Sequence, residues 1–195
     1  MPDVRLVMVI RQDVERMGSW LRDGDVSASW YGTDGQGEAF HIGYLPRHMV
    51  EATPWEWNQV FGDDGRKIFS VLTSDGEHIG EGQMVIDRAL SEAQLFILIG
   101  RKDLWYKGYG TAALLQMLGL AFDTYGLHRA WVDVPEYNLP ARHMCERIGF
   151  LTEGRFREAH PKDGLWHDSV IMGLLYDEYA RRRAGMMEAR DLAAA

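Results

Sequence analysis

Residues 104–113 read LWYKGYGTAA: Gly108 and Gly110 stand one residue apart, Lys107 precedes them, and a small apolar run follows. Glycines at the mouth of a helix let successive backbone N–H groups approach an anion, and the helix end adds partial positive charge. Three anion sites compete for this pattern. A nucleotide P-loop ends in Gly-Lys-Ser/Thr so that its lysine reaches the terminal phosphates, but here the lysine comes before the glycines. A dinucleotide fingerprint, Gly-x-Gly-x-x-Ala, is present at Gly108, Gly110 and Ala113, with Asp133 at about the right separation to meet a ribose; that reading implies an oxidoreductase. Its turn, however, follows a strand directly, whereas residues 101–107 separate Gly108 from the apolar run ending at Ile99. A longer loop suits a third job, wrapping a pyrophosphate with several N–H groups.

The elements that must position this loop follow from periodicity. Asp13 to Arg22 carries Val14, Met17, Trp20 and Leu21 at helical spacing, with Asp13 as the expected N-cap. Gly32 to Gly37 is a loop, and Pro46 to Phe61 a helix broken at Pro54. Ile68 to Leu72, Glu81 to Ile86 and Ala93 to Ile99 read as a three-stranded meander. Thr111 to Asp123 is an amphipathic helix stopped by Gly126, Ala130 to Val134 a strand, and Ala141 to Ile148 a short helix ending at Gly149. Strands over Thr152 to Glu158 and Ser169 to Leu175 flank the turn HPKDG, and the chain after Tyr176 is helical or frayed.

The chain of 195 residues, 46% hydrophobic, suits a single domain over 1–180 with a tail over 181–195. One cysteine, Cys145, excludes an internal disulfide framework, and no Cys/His cluster has metal-ligand spacing. No apolar run approaches the roughly 20 residues that span a bilayer, so a cytoplasmic, membrane-free protein is expected. A net charge of −8 argues against a nucleic-acid partner and leaves a cationic substrate open, although acidity for solubility alone is the plainer reading.

The run 95–122, LFILIGRKDLWYKGYGTAALLQMLGLAF, resembles the acyl-CoA-binding motif of the GNAT superfamily of acetyltransferases. It is most similar to the branch that acetylates ribosomal-protein N-termini, with relatives acting on antibiotics and polyamines. Trp105, Lys107, Gly108, Tyr109, Gly110 and Thr111 fit that branch's Trp-Gly-Lys-Gly-Tyr-Gly-Thr form. Trp105 stands where the wider superfamily has Arg or Gln, and Tyr106 replaces a glycine at a position wanting positive φ. The run 127–154, LHRAWVDVPEYNLPARHMCERIGFLTEG, resembles the second family motif, and WHDSVIMGLLYDEY the branch's last strand, with Asp168 as a structural polar contact.

The resemblance implies an α/β (α+β) fold, a GNAT-type single domain whose mixed, mostly antiparallel central sheet has helices on both faces and a splayed strand pair. The activity implied is transfer of an acetyl group from acetyl-CoA to a primary amine, a protein N-terminus or a small molecule such as an aminoglycoside or polyamine. The alternative is a non-catalytic relative that binds acyl-CoA. Pairing into a homodimer is also implied. The pantetheine arm would enter between Ala93 to Ile99 and Ala130 to Val134, with backbone N–H groups near Ile97, Leu98 and Ile99 facing the thioester carbonyl. Asn138 would bond near the pantetheine or diphosphate; read on its own it is equally an Asx turn or helix cap. Cys145 takes the place of the family's tyrosine acid, and is otherwise a small buried residue; Tyr137 and Tyr106 are other proton donors. For the base, Glu81, Glu92 and Asp87 lie on or beside the central strands. Trp30 and Tyr31 could line the acceptor pocket, whereas Trp20 is assigned to the core.

Overall fold

A computed structural model describes residues 1–34 and 37–184. Seven strands form one sheet: β1 (Val4–Met8), β2 (Arg66–Thr73), β3 (His78–Asp87), β4 (Glu92–Ile99), β5 (Arg129–Pro135), β6 (Leu151–Lys162) and β7 (Leu165–Leu175), in the order β1-β2-β3-β4-β5-β7-β6. Every neighbouring pair is antiparallel except β4 with β5. β1 is the strand the sequence reading missed: Val4 and Arg5 alternate, but Leu6, Val7 and Met8 are apolar in a row and blur the period in a short strand at the sheet edge.

Helices α1 (Arg11–Trp20), α2 (Gly24–Ser29), α3 (Pro46–Val50) and α4 (Pro54–Phe61) precede β2. The helix expected over Pro46 to Phe61 is thus two helices, and Thr53 with Glu56 forms a capping box that starts the second. Asp13 is not the cap of α1. Ile10 occupies that position, and the Asp13 carboxylate, three residues on, accepts the Ile10 N–H at 3.3 Å and the Ser70 hydroxyl at 2.6 Å. It also meets His78 Nδ1 at 3.3 Å, so a residue expected at a helix mouth is buried between α1 and the sheet.

Helices α5 (Tyr109–Gly119) and α6 (Leu139–Ile148) cover the opposite face. Ala113, Leu114, Met117 and Leu118 of α5 are fully buried against β3, β4 and β5, where truncating a leucine to alanine costs about 2–5 kcal/mol. After a π-helical turn at Leu120–Thr124 the chain enters β5, and residues 176–184 form a last helix, α7, that crosses the boundary expected at 180. Tyr179 of α7 stacks on Phe122 at 4.9 Å. The rest of the proposed tail, 185–195, lies outside the described residues. Among the described residues no helix is long and apolar enough to cross a membrane.

Candidate active site

The sheet opens at one place. β4 and β5 pair only where Glu92, Ala93 and Gln94 face Arg129, Ala130 and Trp131, and beyond Gln94 the strands part. β5 then follows β7 through Pro135, while β4 stays on β3 through Ile99. The open edge of β4 leaves backbone groups unpaired. Gly100 donates to Ile79 on β3, so by antiparallel alternation Leu98 and Phe96 also bond toward β3, whereas Ile97 and Ile99 turn their N–H and C=O groups into the gap. Of the three residues expected to supply an N–H, Leu98 is therefore corrected: its amide is spent in the sheet and its side chain packs with the α1 and α2 helices.

A cavity of about 460 Å³ occupies the mouth of this opening. It is lined by Ile97, Leu98, Ile99, Trp105, Lys107, Gly108, Tyr109, Gly110, Thr111 and Asn138, the ten residues assigned to acyl-CoA from the sequence, together with Arg147 and Met144 of α6. Lys107 and Arg147 are the two cationic side chains in that lining, and no carboxylate accompanies them. Gly108, at φ 88°, is the N-cap of α5, and no side chain caps the free N–H groups that follow. A Cβ placed on Gly110 would lie 3.4 Å from Met144 Sδ and 3.8 Å from Ile99 Cγ1, across the mouth.

Two expected ligands of the cofactor have other occupations. The Trp105 indole N–H donates to the Ile99 carbonyl at 2.6 Å, which fixes the loop to the end of β4 and uses the donor that an Arg or Gln would offer an anion. Asn138 caps α6: its Oδ1 accepts the Ala141 N–H at 3.2 Å and its Nδ2 donates to the Ser29 carbonyl at 3.1 Å. The cap reading holds, and the same side chain ties α2 to α6 across the cleft. Tyr106 takes the turn that prefers glycine, with φ 61° and its ring 84% exposed.

Behind the mouth lies a narrower compartment of about 60 Å³ that shares Ser29, Ile97, Asn138, Ala141 and Met144 with it. Its walls include Trp30, Tyr31, Phe96 and Asp133, and, from the α6 face of the sheet, Val132, Val134 and Cys145. Cys145 is 2% exposed, and burial, with a smaller contribution from the Glu146 charge, pushes its thiol up to about 12. Burial likewise raises the Tyr31 hydroxyl well above its ordinary value, and the Asp133 charge adds to it.

The other catalytic candidates lie elsewhere. Glu81 is sealed on the α1–α4 face by Tyr44, by Gln83 Nε2 at 2.8 Å and by His41 Nε2 at 3.1 Å, outside the lining of the cleft. Glu92 sits where β4 and β5 still pair and binds Arg129 at 2.5 Å, at the closed end of the gap. Tyr137 is also absent from the lining; it packs edge-on to His167 at 5.1 Å beneath the Lys162 ammonium, and burial pushes its hydroxyl up to about 12. Asp87 is exposed at the end of β3 and caps its own turn through Ala89 and Leu90. Asp133, weighed above only as a ribose ligand, lies in the inner compartment, and the Gly108 turn does not follow a strand directly, so the dinucleotide reading falls. Asp168 is a structural contact, accepting the Glu158 N–H at 3.0 Å.

Comparison with known proteins agrees with this geometry. The model of the acetyltransferase (GNAT) domain matches residues 3–151. The Bacillus subtilis (strain 168) protein named "Putative ribosomal N-acetyltransferase YdaF" is 27% identical over 90% of this chain and 86% of its own. The spermidine N(1)-acetyltransferase of Vibrio cholerae is 24% identical over 65% of this chain and 73% of its own. A crystal structure of spermidine N-acetyltransferase from Vibrio cholerae in complex with CoA and spermine superposes with a TM-score of 0.75 at 20% identity, covering 91% of this chain and 98% of that one. The chain belongs to the GNAT acetyltransferase family. It is an N-acetyltransferase, and its acetyl donor is acetyl-CoA.

Proposed function

We propose that the opening between β4 and β5 seats the acetyl thioester and that a primary amine, on a small molecule or at a peptide N-terminus, receives the acetyl group. The observation that carries this reading is the partition of one cleft into a cationic mouth and a narrow inner compartment at the point where two strands separate. Lys107, Arg147 and the first N–H groups of α5 suit a diphosphate at the mouth. The unpaired Ile97 N–H suits the thioester carbonyl, where an already oriented donor stabilises the charge that develops during attack. The reaction forms a C–N bond and breaks the C–S bond; the ammonium loses one proton to solvent to become the nucleophile and a second after attack, and the departing thiolate takes up a proton to leave as the CoA thiol.

Cys145 serves as wall and not as acid. A group raised to about 12 is a weaker acid than a thiol near 8.5, so proton donation to the departing thiolate runs uphill. Tyr137, equally raised and outside the lining, is no better placed. The open mouth lets solvent supply that proton. Self-association is assigned to the edge strand β6 and its hairpin, where Leu151, Phe156, Leu165 and Trp166 are exposed; light scattering after gel filtration measures it.

The test is release of free thiol from acetyl-CoA by the purified chain, with and without spermidine, neomycin or an alanine-initiated peptide. Release that depends on one of these amines is expected. Tight acetyl-CoA binding with no amine-dependent release would overturn the proposal in favour of a non-catalytic binder.

A further inference from the structure

One charged residue of the cleft is left without a task by the chemistry of acetyl-CoA. The mouth carries Lys107 and Arg147, as a polyanionic ligand requires, yet the inner compartment carries a carboxylate, Asp133, as its one charged side chain. A buried carboxylate repels the donor's phosphates and has nothing to offer a thioester, so a ligand for it would come from the other substrate.

The placement of Asp133 follows from the splay. Trp131 is the last β5 residue in register with β4, and Asp133, two residues on, points the same way along the strand after the partner strand has gone. Its side chain is 13% exposed. Among the described residues its one hydrogen-bond partner is His160 Nε2, 3.1 Å from Oδ1, which leaves the other carboxylate oxygen free. His160 reaches it because β6 slips register against β7 between Phe156 and His160. The imidazole is 2% exposed and packs against the Tyr31 ring at 4.9 Å. Tyr31 in turn packs against Trp30 at 5.4 Å and Phe96 at 6.0 Å, and these three aromatic rings line the same compartment as the carboxylate. A carboxylate with a free oxygen beside aromatic rings, at the end of a narrow apolar compartment, recognises an ammonium on an unbranched stem.

We infer that Asp133, fixed from behind by His160, receives the ammonium of the acceptor and makes the inner end of the cleft selective for a cationic primary amine. This rests on the proposed transfer to an amine and adds the residue that reads it. His160 is a positioning residue: it holds the carboxylate oxygen that the amine does not use.

The experiment varies spermidine, 1,4-diaminobutane and alanylalanine amide at saturating acetyl-CoA for the wild type and for Asp133→Asn, His160→Gln and His160→Leu, with acetyl-CoA affinity and thermal midpoint measured on each. Asp133→Asn keeps shape and loses charge, so the KM for the amine is expected to rise at least about tenfold with acetyl-CoA affinity unchanged. His160→Leu should raise the same KM, and His160→Gln, which keeps an N–H donor, should recover most of the loss. An unchanged amine KM in Asp133→Asn overturns the inference, as does a parallel loss of amine KM, acetyl-CoA affinity and thermal midpoint, which marks a structural pair. A wild type that binds acetyl-CoA and acetylates none of the amines overturns the amine reading itself, and the inference with it.

Discussion

The two ends of the cleft are built in different ways. The mouth comes mainly from one continuous stretch, Ile97 to Thr111, closed by Ser29, Asn138 and Pro140, Ala141, Met144 and Arg147 of α6. The inner compartment is assembled from α2, β4, β5 and α6, with β6 supporting it from behind. The mouth binds by backbone and cation, and needs Gly108 and Gly110 clear and Lys107 and Arg147 in place. The inner end depends on one carboxylate held by a histidine 27 residues away in sequence. A local anion cradle can be carried from protein to protein as a cassette, while the acceptor end depends on how distant segments pack.

The largest expected effect separates the mouth from the fold. In Gly110→Val a branched side chain meets Met144 and Ile99 across the entrance, and acetyl-CoA affinity should fall about 100-fold or more with far-UV circular dichroism unchanged. Calorimetric titration measures it; wild-type affinity in the folded variant would mean the anion is held elsewhere. Lys107→Ala removes one of two mouth cations and should weaken acetyl-CoA about tenfold, with a shallower salt dependence than the wild type.

At the inner end, Cys145→Ala should leave kcat within about threefold, since a general acid is worth roughly 100-fold or more and this thiol is too weak to be one. A fall of that larger size would restore it as the acid. Its alkylation by iodoacetamide should be slow at pH 8 and rise about tenfold per pH unit, because the reactive thiolate stays scarce until the pH nears the thiol's raised value of about 12. The smallest effect belongs to Tyr106→Gly. Relief of φ 61° is partly offset by the added freedom of glycine in the unfolded chain, so stability should rise by about 0.5–1 kcal/mol. Thermal unfolding measures the gain, and a loss would mean the exposed ring makes contacts that outweigh its backbone strain.

The same contrast governs what could be read without coordinates. The meander, both central helices and the anion loop at Gly108 and Gly110 are legible because their signals are short-range: period, turn residues, two glycines and a lysine; Ile97 to Ile99, Trp105 and Asn138 come from the family resemblance, and all of these line the mouth. Trp105 and Asn138 line the mouth, but their hydrogen bonds to Ile99 and Ser29 depend on neighbours that only folding supplies. The catalytic carboxylates were chosen by strand position, which says nothing of partners. Glu81 is enclosed by Tyr44 and His41 from the loop after α2, and Glu92 is claimed by Arg129. Arg147 lies in the last turn of α6, and its cation just before Gly149 is the one signal the sequence offered for it. His160 had no signal in the sequence, because a register slip in β6 brings it to Asp133.

The division of labour is tested most directly by two-substrate kinetics on Lys107→Ala and Asp133→Asn, with acetyl-CoA and spermidine varied independently. A cleft with a donor end and an acceptor end predicts crossed effects: Lys107→Ala raises the KM for acetyl-CoA alone, and Asp133→Asn raises the KM for the amine alone. Both substitutions raising the same KM would show that Lys107 and Asp133 contact one ligand and would contradict the division.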